Sequence, residues 1–297
     1  MRNFTSKRAP YLFISPALLL LMLFSLIPIV VAFFISFTDI SLVGLADWSQ
    51  INFVGLSNYK EILTDPVFLK SIGNTLFYVV IGVPLVIACS LVIAVMINFG
   101  ENKIFQFFRL IFYTPSITNV VAVAVVWSYL YNPSFGFLNY LLSLINVSPV
   151  PWLQDPTMAK VSLIILALWR AIGTNMIIFL AALQGIPKEY YEAASLDGAN
   201  RRQQLFQITI PMLKFATFFV TITTMIGWLQ FFEEPFIMTN GGPLDSTTSV
   251  ALFIYRNGFQ FSKFGYAAAG SFILFIAIII VTLIQFRIQR KSDEESL

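Results

Sequence analysis

The stretch EYYEAASLDGANRRQQLFQITIP, Glu189 to Pro211, sits between two long apolar segments, and its reading decides the rest. It is too long for a tight turn and too regular for a linker. Pro187 suits the first turn of a helix, where a missing N–H costs nothing, and Glu189 complements the positive end of the helix dipole. A short helix over 188–196 follows. Gly198 supplies a sharp turn, and a second helix starts near Asn200 and runs toward Pro211. Ala193, Ala194 and Ala199 let another backbone approach closely, while Glu192, Asp197, Arg201 and Arg202 can fix its register through charge-assisted hydrogen bonds. Such a knob fits a socket on a partner. The other reading is an amphipathic loop packed beneath its own helices.

Outward from that loop the chain is strongly apolar. Its 297 residues are 58% hydrophobic and 11% charged, with a mean hydropathy of +0.80, too little polar surface for an ordinary globular domain. A helix crossing the hydrocarbon needs roughly 20 apolar residues at about 1.5 Å each. Six runs meet that requirement: Tyr11 to Phe37, Leu76 to Phe99, Phe107 to Tyr131, Val161 to Leu183, Met212 to Met238 and Phe264 to Phe286. They are continuous, without the alternation of a lipid-facing strand, which excludes a barrel. The expected fold is all-α: a polytopic protein with six transmembrane helices in one transmembrane domain over 1–297, with its docking loop at 187–211.

Of 18 Lys and Arg residues, twelve fall on the side that carries the Glu189 to Pro211 loop and five on the other. The twelve include Arg2, Lys7, Arg8, Arg287, Arg290 and Lys291 at the two ends, so both termini and the loop are expected in the cytoplasm. Arg170 sits deep inside a span. The first run is longer than a secretion signal and has no cleavage pattern after it, so it reads as a retained anchor. Cys89, the single cysteine, can form no intrachain disulfide. A net charge of +3 calls for no nucleic-acid partner.

Glu192-Ala193-Ala194, then Asp197-Gly198-Ala199, then Ile208 and Pro211 resemble the signature loop of binding-protein-dependent ABC transporter permeases. Leu205 stands where that family usually has Phe, with Phe206 beside it. The segment FVGLSNYKEILTDPVFLKSIGNT (Phe53 to Thr75), the TNGGP stretch (Thr239 to Pro243) and IYRNGFQ (Ile254 to Gln260) are similar to the carbohydrate-uptake branch, and within it to the first of two permeases. The resemblance implies a bacterial plasma-membrane subunit that pairs with a second homologous permease. It also implies two cytoplasmic ATPases seated on the loop's coupling helix and an extracytoplasmic sugar-binding protein. ATP and Mg then belong to the ATPases. This chain has no Gly-rich sequence ending in Gly-Lys-Ser or Gly-Lys-Thr and no His at all, so no catalytic role, metal site or cofactor is expected of it.

Polar groups at membrane depth are the candidates for the pathway. In the fifth run Thr223, Gly227, Gln230 and Glu234 share a narrow arc at about 100° per residue, flanked by Glu233 and Trp228. In the fourth, Arg170, Gly173 and Thr174 share a face. Sugars are held by planar polar groups and aromatic rings, chemistry that Gln230, Glu233, Glu234, Trp228, Asn175, Trp169, Tyr113, Ser116 and Asn119 offer. The competing reading is structural: Arg170 paired with a glutamate, amides joining helices, aromatics facing lipid. An ion-coupled secondary transporter, with Glu233, Glu234 and Arg170 as a relay, is the alternative function.

Overall fold

Helix dominates the computed structural model, which describes residues 5–98, 100 and 103–294; among them the only β-pairing is two isolated bridges. Arg2, Phe99 and the side chains of Lys7 and Arg8, all used above, lie outside the described residues. Four helices are long and apolar enough to cross a membrane, and two bent pairs bring the number to six if each pair is one span. The chain divides into two compact units, residues 1–65 with 254–275, and residues 66–253 with 276–297.

In the first unit, α1 (Thr5–Leu21) and α2 (Ile27–Ile35) are joined through a π-helical turn, Met22–Leu26. Pro28 has no N–H and its ring crowds the carbonyl four residues back; the wider π turn ends two residues before it. No residue of the apolar window in Pro10–Ile35 is buried, as suits a lipid-facing helix. After it come two short helices, α3 (Leu42–Ala46) and α4 (Ser57–Thr64). Asn58 ties α4 to the end of α2 by donating its amide to the carbonyls of Ser36 and Thr38. Asn52 donates both its side-chain and backbone N–H to Asp39, which holds that carboxyl below its ordinary value.

The second unit is built on α5 (Pro66–Asn98). Next, where the third span was expected, α6 (Lys103–Ile117) and α7 (Val120–Leu130) form a pair bent by 99° rather than one straight helix. Pro115 ends the first half, and Asn119 caps the second by accepting from the N–H groups of Val121 and Ala122. Between α7 and the expected fourth span, α8 (Phe137–Leu144) is pinned by Asn139, whose Oδ1 accepts from Val150 N and Trp152 Nε1. Trp152 therefore fills this corner, whereas Trp48 is 80% exposed. The fourth span, α9 (Pro156–Gln184), starts at an Asp155 cap with Pro156 in its first turn.

The connection to the fifth span comprises α10 (Lys188–Leu196), α11 (Arg201–Gln204), a π turn at Leu205–Thr209 and α12 (Ile210–Met212). The span itself, α13 (Lys214–Leu229), bends from that lead-in by 61° and stops at Leu229, well short of Met238; Pro235–Thr239 is a separate π turn. After it comes α14 (Val250–Tyr255), in which Val250, Leu252 and Phe253 are buried. Finally α15 (Phe264–Glu294) is the last of the helices long and apolar enough to cross a membrane.

α5, α9 and α13 pack around two apolar layers. One holds Tyr78, Val83, Leu163, Ala167, Trp228 and Phe231; the other holds Ala94, Met176, Phe179, Leu183, Ala216 and Val220. Lipid is as apolar as these side chains, so close packing rather than exclusion from water drives the association. A Cβ on Gly82 would overlap the Trp228 ring, and one on Gly173 would overlap the carbonyl of Phe112 and the backbone of Tyr113. These two glycines set how near α13 and α6 come to their neighbours.

Candidate functional site

The helix stop at Leu229 shapes the central cavity. Because the chain leaves helical geometry at Gln230, the expected arc of Thr223, Gly227, Gln230 and Glu234 is not one helical face, yet all four line the same space. That cavity, about 780 Å³, lies between α9, α13 and the segment that follows it, with Ser116 from α6.

Arg170 reaches across from α9. Its Nη1 donates to Glu234 Oε1 at 2.6 Å and to Glu233 Oε2 at 3.4 Å. The three side chains are 19%, 7% and 54% exposed, so Glu234 is the buried partner and Glu233 looks into the cavity. Ser116 donates its hydroxyl to the carbonyl of Arg170 and accepts from Thr174 N, joining α6 to α9 where Gly173 leaves room. Asn175 donates to Ala171 O and accepts from the Thr224 hydroxyl at 3.5 Å, linking α9 to α13. Gln230 is exposed in the wall.

Of the ten pathway candidates, Ser116, Arg170, Asn175, Trp228, Gln230, Glu233 and Glu234 line the cavity, and Tyr113, Asn119 and Trp169 do not. Trp228 is 5% exposed, its ring against Gly82 and stacked on Phe231 at 5.2 Å, so it supports the wall more than it offers a face. Asn119 is spent on its cap; Trp169 packs on Trp127 at 5.6 Å. Thr174 and Thr224 are wall residues absent from the candidates, although Thr174 shared the Arg170 face.

At the other end of α9 the loop of Glu189 to Pro211 is a pre-formed knob. α10 closes in a paired C-terminal motif: Ala199 N donates to Ala194 O at 2.8 Å, Gly198 N donates to Ser195 O at 3.1 Å, and Gly198 has φ +81°. α11 opens in a capping box, Asn200 Oδ1 accepting from Gln203 N while Gln203 Oε1 accepts from Asn200 N. Gln204 donates to Ser195 Oγ across the turn, and Tyr191 meets Thr209 hydroxyl to hydroxyl at 3.0 Å. Glu192, Ala193, Asp197, Gly198, Arg201 and Arg202 are exposed, with Ala194 and Ala199 partly covered. At the tip Leu196 is 90% exposed, an apolar contact that the small residues and charges around it had overshadowed.

An apolar multi-helix protein with an open cavity carrying charged and polar groups, and with an exposed knob between two of its helices, has the build of a membrane permease. The chain belongs to the family of binding-protein-dependent transport system inner membrane components, whose model matches residues 66–294. It is 35% identical over 286 residues to the lactose transport system permease protein LacF of Rhizobium radiobacter, covering 95% of this chain and 94% of that one. The arabinooligosaccharides transport system permease protein AraP of Halalkalibacterium halodurans is 33% identical, with 98% and 91% covered. A chain in the crystal structure of a bacterial ABC transporter involved in the import of alginate, an acidic polysaccharide, has the same fold, with a TM-score of 0.82, 23% identity and 97% of each chain covered. The chain is thus a multi-pass membrane component of a binding-protein-dependent ABC transporter, a transport subunit and not an enzyme.

Proposed function

We propose that this chain is one of two membrane subunits of an ATP-driven importer of sugars, with oligosaccharides as its cargo. The observation that carries the sugar assignment is the cavity: hydroxyl and amide groups of Ser116, Thr174, Asn175, Thr223 and Gln230 beside the rings of Phe219, Phe231 and Phe232. Such walls suit ligands with many hydroxyls and apolar ring faces. Lactose and arabinooligosaccharides in the names of relatives support the same class.

In this reading an extracytoplasmic binding protein delivers sugar to the outer side, and a second permease completes the pathway. Two ATPases hold ATP and Mg and grip Glu192, Ala193, Ala194, Asp197, Gly198, Ala199, Arg201 and Arg202, the knob and both termini facing the cytoplasm. Closure of the ATPases moves the knob and switches access from outside to inside; by linkage, loaded binding protein speeds hydrolysis only by favouring that closed state.

The test is ATP hydrolysis in liposomes by the assembled complex, across a panel of sugars. Stimulation by one sugar with its binding protein is the expected result. Uptake by this chain alone, driven by an ion gradient through Arg170, Glu233 and Glu234, would overturn it.

A further inference from the structure

The cavity contains one cation and two carboxylates, and their arrangement bears on which sugars it admits. Arg170 invites the thought of an acidic sugar, but its charge is already engaged. Nη1 is 2.6 Å from a carboxylate that is only 7% exposed, and Nε is buried without a hydrogen-bond partner, closing the side of the guanidinium that pairs Nε with Nη. An arriving carboxylate would compete with Glu234 for the guanidinium, and a buried carboxylate without its cation is strongly disfavoured. Glu233 remains, 54% exposed, with only a 3.4 Å contact to the same nitrogen. The other wall residues are neutral. One positive charge therefore meets two negative ones, and the uncompensated charge is the one that a ligand sees.

We infer that the cavity selects uncharged sugars and turns back acidic ones, with Glu233 as the specificity-determining residue and Glu234 as the group that withholds Arg170 from ligands. The inference rests on the sugar-importer reading above. An anion held beside the Glu233 carboxylate is repelled, whereas a neutral sugar donates hydroxyls to Glu233 and Gln230 at no electrostatic cost.

The experiment is equilibrium binding to the full complex in lipid nanodiscs, without binding protein, using a panel of neutral oligosaccharides and uronate oligomers of matched length. Wild type should prefer the neutral member of a pair by about tenfold, and raising salt should narrow the gap. Glu233→Gln should bring the ratio toward unity by tightening the uronate. Equal or tighter binding of uronates by wild type overturns the inference, as does a ratio that neither salt nor Glu233→Gln changes. Should Glu233→Gln fail to assemble, the salt series on wild type decides alone. Binding of neither class would instead overturn the sugar-importer reading itself.

Discussion

Arg170 and Glu234 illustrate what a charge costs at membrane depth. Glu234→Ala leaves the guanidinium facing only the weaker Glu233 contact, and we expect a loss of about 2–3 kcal/mol, read as reduced unfolding stability of the purified chain in detergent. The double replacement Arg170→Met with Glu234→Leu removes both charges and should recover most of that loss, because apolar groups of similar size need no partners. Gly173→Val should cost about 1–3 kcal/mol in the same assay, since the neighbouring Phe112 carbonyl and Tyr113 backbone cannot step aside as a flexible side chain would. Sequence reading reached Arg170 and both glutamates because a charge in an apolar run is conspicuous. It did not separate Asn119 from Asn175. Both are amides at depth, and one local turn, invisible to periodicity, makes the first a helix cap and the second a link between helices.

Among elements, α10 has the bounds expected of it, 188–196, because its signals lie next to it in the chain: Pro187 before, Glu189 in the first turn, Gly198 after. The end of α13 was illegible for the opposite reason. The run from Met212 to Met238 stays apolar through Gln230, so hydropathy continues where the helix does not. Gly198 gives a discriminating pair of variants. No atom would lie within 4 Å of an added Cβ, so replacement costs only the left-handed backbone, about 1–2 kcal/mol for Val and less for Asn, which tolerates that region. Gly198→Val should weaken capture of the ATPase in pull-down from membranes while Gly198→Asn retains it. Asn200→Ala removes the capping box and should destabilise the start of α11 by about 1 kcal/mol, visible as faster amide exchange at Gln203.

For the whole molecule, sidedness is the property on which every proposed partner depends. Starting from Cys89→Ser, a cysteine placed at Leu244 (80% exposed) should react with a membrane-impermeant maleimide on intact cells with the outer membrane opened. One placed at Leu196 should react only after the inner membrane is breached; the reverse pattern would invert the proposed topology. Four of the six expected crossings were legible in hydropathy as single long helices, whereas the bends of 99° and 61° in the other two were not, since composition records neither where a helix is capped nor where it widens. The widened turn at Leu205–Thr209, between the exposed knob and α13, stores chain length. A π turn holds one residue more than an α turn, so rewinding it as α-helix would release about 1.5 Å of travel together with roughly 100° of rotation. The knob is thus joined to its span by a screw thread, able to trade a push for a twist without stretching either helix.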